Sequence, residues 1–222
     1  MLGNIKNQQG LTLVETLIVI TLIGLLIGPV IGGMFFFYGG MVANNREASL
    51  ALESQTILRN MSSELRLSSG VRSSNAINDS NAPSGGWNTS NDDLVLIIAT
   101  PTLDGSNDYI VDPSTGEPYQ NELVYHAQGN TLYKRTLAHP EATDNAATTS
   151  CAEDDTGCPA DKLLTENFQD MNFTFYDQDD QITVDLAQAR SIRLFISTQD
   201  TAFVRTATFN NDMQATLRNS LL

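Results

Sequence analysis

The residue least suited to its surroundings is Glu15. It is the only formal charge between Lys6 and Arg46, in a run that opens Gly10-Leu11-Thr12-Leu13-Val14-Glu15 and stays apolar past Phe37. A carboxylate in an apolar span costs roughly 2.5 to 3.5 kcal/mol at mid-helix and less near an interface, so an acid there marks a functional position by default. The second set able to do chemistry is Cys151 and Cys158, in Cys-Ala-Glu-Asp-Asp-Thr-Gly-Cys. Outside the cytoplasm two thiols this close form a disulfide and close a small loop. Metal ligation and free thiols are the alternatives; a metal needs more ligands, and His126 and His139 show no ligand spacing. The third set is Asp177, Asp179 and Asp180. Their one-three spacing is that of the start of a calcium loop, without its later Gly and final Glu, and the competing state is a solvated acidic turn. Asp104, Asp108 and Asp112, with Gly105 and Asn107, form a second acidic loop of the same kind. No Ser/His/Asp set, metal-hydrolase motif or phosphate loop occurs. His126 sits in a strand pattern and reads as structural; His139 precedes Pro140 in a loop. The residues specify no enzyme and call for no cofactor.

The elements that carry these residues follow from periodicity. Residues 11–42 predict the apolar half of a long helix, longer than the ~20 residues that cross a hydrocarbon core, so its far end tilts in lipid or leaves the membrane. Gly24, Gly28 and Gly32 recur every four residues, on one face where small residues let helices approach closely in lipid. Pro29 removes a backbone donor and crowds the Leu25 carbonyl, which predicts a kink or loosening around Leu25 and Leu26. Gly32-Gly33 and Gly39-Gly40 weaken the helix by ~1 kcal/mol per residue against Ala.

From Asn44 to about Ser69 the helix turns amphipathic, with Leu50, Ile57, Met61 and Leu65 as one apolar stripe and Gly70 as its terminator. Residues 73–93, rich in Ser, Asn, Gly and Pro, predict a surface loop pinned by Trp87. Strand patterns then follow at 94–99, 109–111, 122–127, 131–137, 172–176, 181–186, 191–197 and 202–209. Gly129-Asn130, Asp177 to Asp180, and Gln199-Asp200 are the expected hairpin turns. Ile192, Leu194 and Ile196 alternate with Arg193 and Phe195, as in a sheet with one face on the helix. A helix followed by antiparallel hairpins gives an α+β fold.

Charge bounds the partners. The net charge is −14, and Asp79 to Asp185 holds 20 acidic residues against Lys134, Arg135 and Lys162. Such a surface argues against direct nucleic-acid binding, which needs phosphate neutralisation by Lys and Arg, and against anionic lipid. Asn88-Thr89-Ser90 and Asn172-Phe173-Thr174 fit the glycosylation sequon, a pattern too short to assign a role. A secretory signal peptide, the nearest confusion for the N-terminus, has an apolar core of 7–15 residues, about half the length of this one.

A short polar leader with Lys6, Gly10 before an apolar residue, and Glu15 five places into the new N-terminus together resemble the signal of type IV pilins and type II secretion pseudopilins. Most members have Phe where this chain has Leu11. The resemblance implies a leader over 1–10, an assembly helix over 11–42 and an extracytoplasmic domain over 43–222, in a pilin-like fold. It implies that a prepilin peptidase cuts between Gly10 and Leu11 and methylates the Leu11 amine. In a staggered bundle Glu15 would then meet the Leu11 amine of a neighbouring subunit, since a buried carboxylate is tolerable when paired.

Leu123-Val124-Tyr125-His126 through Leu132-Tyr133-Lys134-Arg135, Phe175-Tyr176-Asp177, and Thr216-Leu217-Arg218-Asn219 resemble segments of minor pilins of PilW and GspJ type. The implied partners are other pilin subunits, the inner-membrane assembly platform, and lipid before assembly. The implied place is the inner membrane first and a cell-surface or periplasmic filament afterwards. Lys6 before the span favours a cytoplasmic N-terminus, and Arg46 weighs the other way. A minor pilin of a type IV pilus is the leading expectation. A type II secretion pseudopilin, a tip adhesin or DNA-uptake pilin, and a membrane-anchored enzyme are the rivals.

Overall fold

One 55-residue helix, α1 (Leu13–Leu67), leads the chain in the computed structural model, which describes residues 12–152, 155–202 and 205–217. At 1.5 Å per residue it is about 80 Å long. Among the described residues it is the helix long and apolar enough to cross a membrane. No described residue before Leu50 is buried, and Arg46 reaches Asp200 at 3.1 Å. The second half buries Leu50, Ser54, Ile57, Leu58, Met61, Ser62 and Leu65. The apolar stripe is as expected, and two serines complete it. They are small enough to bring the helix close to the sheets, and Ser54 meets its own need by donating to the Ala51 carbonyl at 3.1 Å.

The helix is continuous through Pro29, the position of the expected kink or loosening. It also stops earlier than expected. Ser68 is the C-cap, extended at φ −72° and ψ 156°, and its hydroxyl donates to the Leu65 carbonyl at 2.7 Å. Gly70, the expected terminator, instead opens the first strand.

Among the described residues nine strands follow, in two antiparallel sheets. The first has the order β1 (Gly70–Arg72), β2 (Val95–Pro101), β3 (Gln120–Gln128), β4 (Thr131–Leu137), β5 (Lys162–Thr165). The second has the order β7 (Ile182–Thr183), β6 (Phe168–Tyr176), β8 (Ser191–Ala202), β9 (Arg205–Thr216). The β3–β4 hairpin turns at Gly129-Asn130 as expected, with Gly129 at φ +61°, where a side chain would be strained. Three expectations give way. The strand at 181–186 shrinks to Ile182–Thr183. Residues 109–111 make only isolated bridges, Leu103 with Tyr109 and Val111 with Pro118. Gln199 and Asp200 are not a turn but pair with Thr208 and Ala207, so the last hairpin closes farther out. Polar residues near a hairpin end look like turn residues in sequence, yet a long ladder holds them.

The α+β class holds: α1 packs on β8 and β9 of the second sheet and on β2 of the first. The main core joins Ile57, Leu58, Met61 and Leu65 of α1 to Leu96, Ile98 and Tyr125 of the first sheet and Phe173, Ile192, Leu194 and Ile196 of the second. The opposite face of the first sheet has its own small core, Val95, Ile97, Val124 and Leu137, capped by Trp87. Residues 73–93 therefore form a strap over that face, and Trp87 pins it, 8 % exposed.

Candidate functional site

At the start of α1 the chain supplies Glu15 with a partner that the sequence-based expectation lacked. Thr12 is the N-cap, extended at φ −72° and ψ 152°. The Glu15 amide donates to Thr12 Oγ1 at 3.3 Å, and Glu15 Oε2 accepts from the Thr12 amide and the Thr12 hydroxyl, each at 3.0 Å. This is a capping box: two N–H groups with no helical partner are satisfied reciprocally, and the carboxylate lies at the positive end of the helix dipole. Its signature, Thr-x-x-Glu ahead of an apolar run, is legible as Thr12-Leu13-Val14-Glu15 but was not drawn on. A single copy thus does not leave the acid bare. Gly10 and Leu11, the expected processing residues, lie outside the described residues, as do Arg218 and Asn219.

Farther along α1, Gly24, Gly28 and Gly32 face open space, where an added Cβ would meet nothing within 4 Å. Leu17, Leu25, Leu26, Phe35 and Phe37 around them are each more than 60 % exposed. At roughly 25 cal/mol per Å² such a surface does not remain in water; lipid or other helices must cover it.

Cys151 and Cys158 are joined in a disulfide, with Cα atoms 5.9 Å apart. Among the described residues they lie with Asp155 in the one cluster close enough for metal ligation, and the bond removes both sulfurs from that role. Asp177, Asp179 and Asp180 are not drawn into such a cluster. Asp177 Oδ1 accepts from the amides of Asp179 and Gln181 at 2.9 Å, and Asp180 takes φ +57°, so the carboxylate builds the turn. Asp104 does the same for Ser106 and Asp108.

The densest polar cluster is one that sequence reasoning missed. On the outer face of the first sheet, Arg135 is 2 % exposed. Its Nε and Nη2 donate to Asp161 at 2.8–3.1 Å, and its Nη1 to Asp79 at 2.8 Å and to the Asn81 carbonyl at 3.3 Å. Asp161 also accepts from Ser150 at 2.7 Å, and Asp79 from the Trp87 indole at 2.8 Å. His126 stacks between Trp87 and Tyr133, with ring centroids at 4.7 and 5.6 Å. Its Nε2 stands 3.6 Å from Asp161, past ordinary hydrogen-bond length yet close enough to act on the carboxylate. Burial pushes the Asp161 carboxyl up, but His126, Arg135 and Ser150 outweigh it and bring it down to about 2. Asp79 moves the same way, since the Trp87 and Arg135 bonds outweigh its burial. Next to this cluster Glu122 accepts from the strap amides of Ala76 and Ile77 at 2.9–3.1 Å. The cluster therefore clamps strap, sheet and disulfide loop together. Arg135 stood out in sequence as a rare cation among acids, but its partners come from 56 and 26 residues away.

On the inner face Glu64 of α1 accepts from the Tyr125 hydroxyl and from Lys134 Nζ, the latter at 2.6 Å, which ties helix to sheet.

Residues 5–31 match the family model for the prokaryotic N-terminal methylation motif. No curated protein matches the chain.

Proposed function

From the premise that this chain carries the N-terminal methylation motif of the type IV pilin-like family, we propose that it is a minor pilin, built into or priming a type IV pilus. The observation that carries this is the pairing of that motif with a helix whose first half buries no described residue while its second half packs into an α+β domain. The apolar half, residues 11–42, holds the subunit in the inner membrane and later packs in the filament. Residues 43–222 form the extracytoplasmic domain. A type II secretion filament would use the same parts, and gene neighbourhood separates the two.

Processing follows the motif. Prepilin peptidase removes residues 1–10 between Gly10 and Leu11 and methylates the Leu11 amine. That amine belongs to the residue before Thr12, the cap whose amide and hydroxyl Glu15 holds. On assembly Glu15 exchanges part of its intrachain bonding for the Leu11 amine of a neighbour, which favours one axial register over others. Gly24, Gly28, Gly32 and Pro29 lie on the stretch that packs against other subunits, guided by the inner-membrane platform.

Two measurements test this. Mass spectrometry of the protein from cells should find N-methyl-Leu11 at its N-terminus; a chain that retains Met1 would remove the premise. Glu15→Val should insert in the membrane normally but enter filaments at a level reduced about tenfold or more; wild-type incorporation would overturn the pairing.

A further inference from the structure

The strap, the end of the β3–β4 hairpin and the loop after the disulfide enclose a cleft of about 940 Å³. Ligand sites fall in this size range, and they combine fixed apolar surface with a few polar groups. The floor is rigid. Tyr133, half-buried, lies on His126, which lies on Trp87, whose indole is held by Asp79. The rim is polar and unspent: among the described residues Asp93, Gln128 and Glu166 line the cleft, are exposed, and use no side-chain hydrogen bond.

Charge narrows the ligand. Among the described residues Arg135 is the only Lys or Arg lining the cleft. Each of its three nitrogens already donates, to Asp79, Asp161 or the Asn81 carbonyl, and its side chain is 3 % exposed. A phosphate or carboxylate would find no free cation there and would meet Asp93 and Glu166. A quaternary or alkyl ammonium is favoured by several ring faces around it. Here Trp87 and His126 are nearly buried, so Tyr133 offers most of the ring surface. A hydroxyl-rich ring uses what remains: an apolar face against Tyr133, and hydroxyls that donate to Asp93 and Glu166 and exchange donor and acceptor with the Gln128 amide. We propose that this cleft binds a neutral saccharide. The inference rests on the domain lying outside the cytoplasm, and it gives the subunit a recognition task beyond filament building.

The test uses the full-length protein in a polyoxyethylene detergent, because glycoside detergents would compete. Trp87 is the only tryptophan in the chain and lies on the cleft wall, so its fluorescence reports occupancy. Glucose, galactose, N-acetylglucosamine and lactose are titrated, with choline and inorganic phosphate as the contrasting classes. At least one saccharide should give a saturable change, weakened about tenfold in Gln128→Ala and Glu166→Ala, the loss of one or two good hydrogen bonds. Both side chains are exposed, so both variants keep the fold. No response to any of the four sugars, equal affinity in the variants, or binding of choline or phosphate alone would overturn the proposal. Filament incorporation is scored separately. Lost binding with normal incorporation removes the site alone, and lost incorporation with intact binding removes the filament role alone.

Discussion

Asp161 shows how one residue's environment sets a property of the whole domain. Its carboxyl titrates near 2 in the fold and near 3.8 in the unfolded chain. A depressed native value adds stability that is complete above the unfolded pKa and lost as pH falls through the native one. The contribution is about 2 kcal/mol, present at neutral pH and lost between about pH 4 and pH 2. Thermal unfolding followed by circular dichroism should therefore hold steady from pH 7 to 5 and drop below pH 4. Asp161→Asn should melt lower at pH 7 and show a shallower acid slope; an unchanged slope would place the acid sensitivity elsewhere. Glu15 makes the complementary point. Its anomaly was plain in sequence, and so was the Thr12 capping signature, because both are local. The Arg135 cluster was not, because its carboxylates come from the strap and from beyond the disulfide.

Among elements, α1 combines two chemistries in one rod. Leu58 is fully buried on its core stripe, whereas Leu52, less than two turns away, is 68 % exposed. Leu58→Ala should cost about 2–5 kcal/mol and Leu52→Ala under about 0.5 kcal/mol, read from denaturant midpoints of the two variants. Similar losses at both positions would mean that the helix does not pack on the sheets by this face. The stripe was legible because a 3.6-residue period shows in the chain itself. The two-sheet arrangement and β5 were not, since strand pairing depends on partners far apart in sequence. The disulfide loop also acts as an element. Asp161 donates its amide to the Cys151 carbonyl at 2.7 Å, so the bond helps to place the carboxylate that holds Arg135. Replacing both cysteines by serine should destabilise by about 2–3 kcal/mol, measured under conditions that leave the wild-type bond oxidised. An unchanged melting temperature would show that the loop keeps its shape without the bond.

The whole molecule is an apolar rod joined to an acidic, polar domain, and the two halves have different destinations. In the domain, helix, two sheets and strap cover each other's apolar surface in two cores. The rod satisfies its backbone internally but leaves its apolar side chains exposed, so it needs lipid or another apolar surface. Order of events matters at this scale. If cleavage after Gly10 must precede assembly, replacing Gly10 with Phe should leave a membrane protein of precursor mass that is missing from filaments. A Gly10→Phe chain that still shifts to the mature mass on a gel would defeat the cleavage proposal.

Amino-acid order alone determined the long helix, its apolar and amphipathic halves, the methylation motif around Gly10 to Glu15, the cysteine pair and the α+β class. Each is set by composition or by a short repeat that every chain segment carries with it. Tertiary structure decided which acids meet Arg135, that the serine-rich loop is a strap, that the strands divide into two sheets, and that a cleft opens above Tyr133. Those depend on contacts between distant segments, and no local period records them.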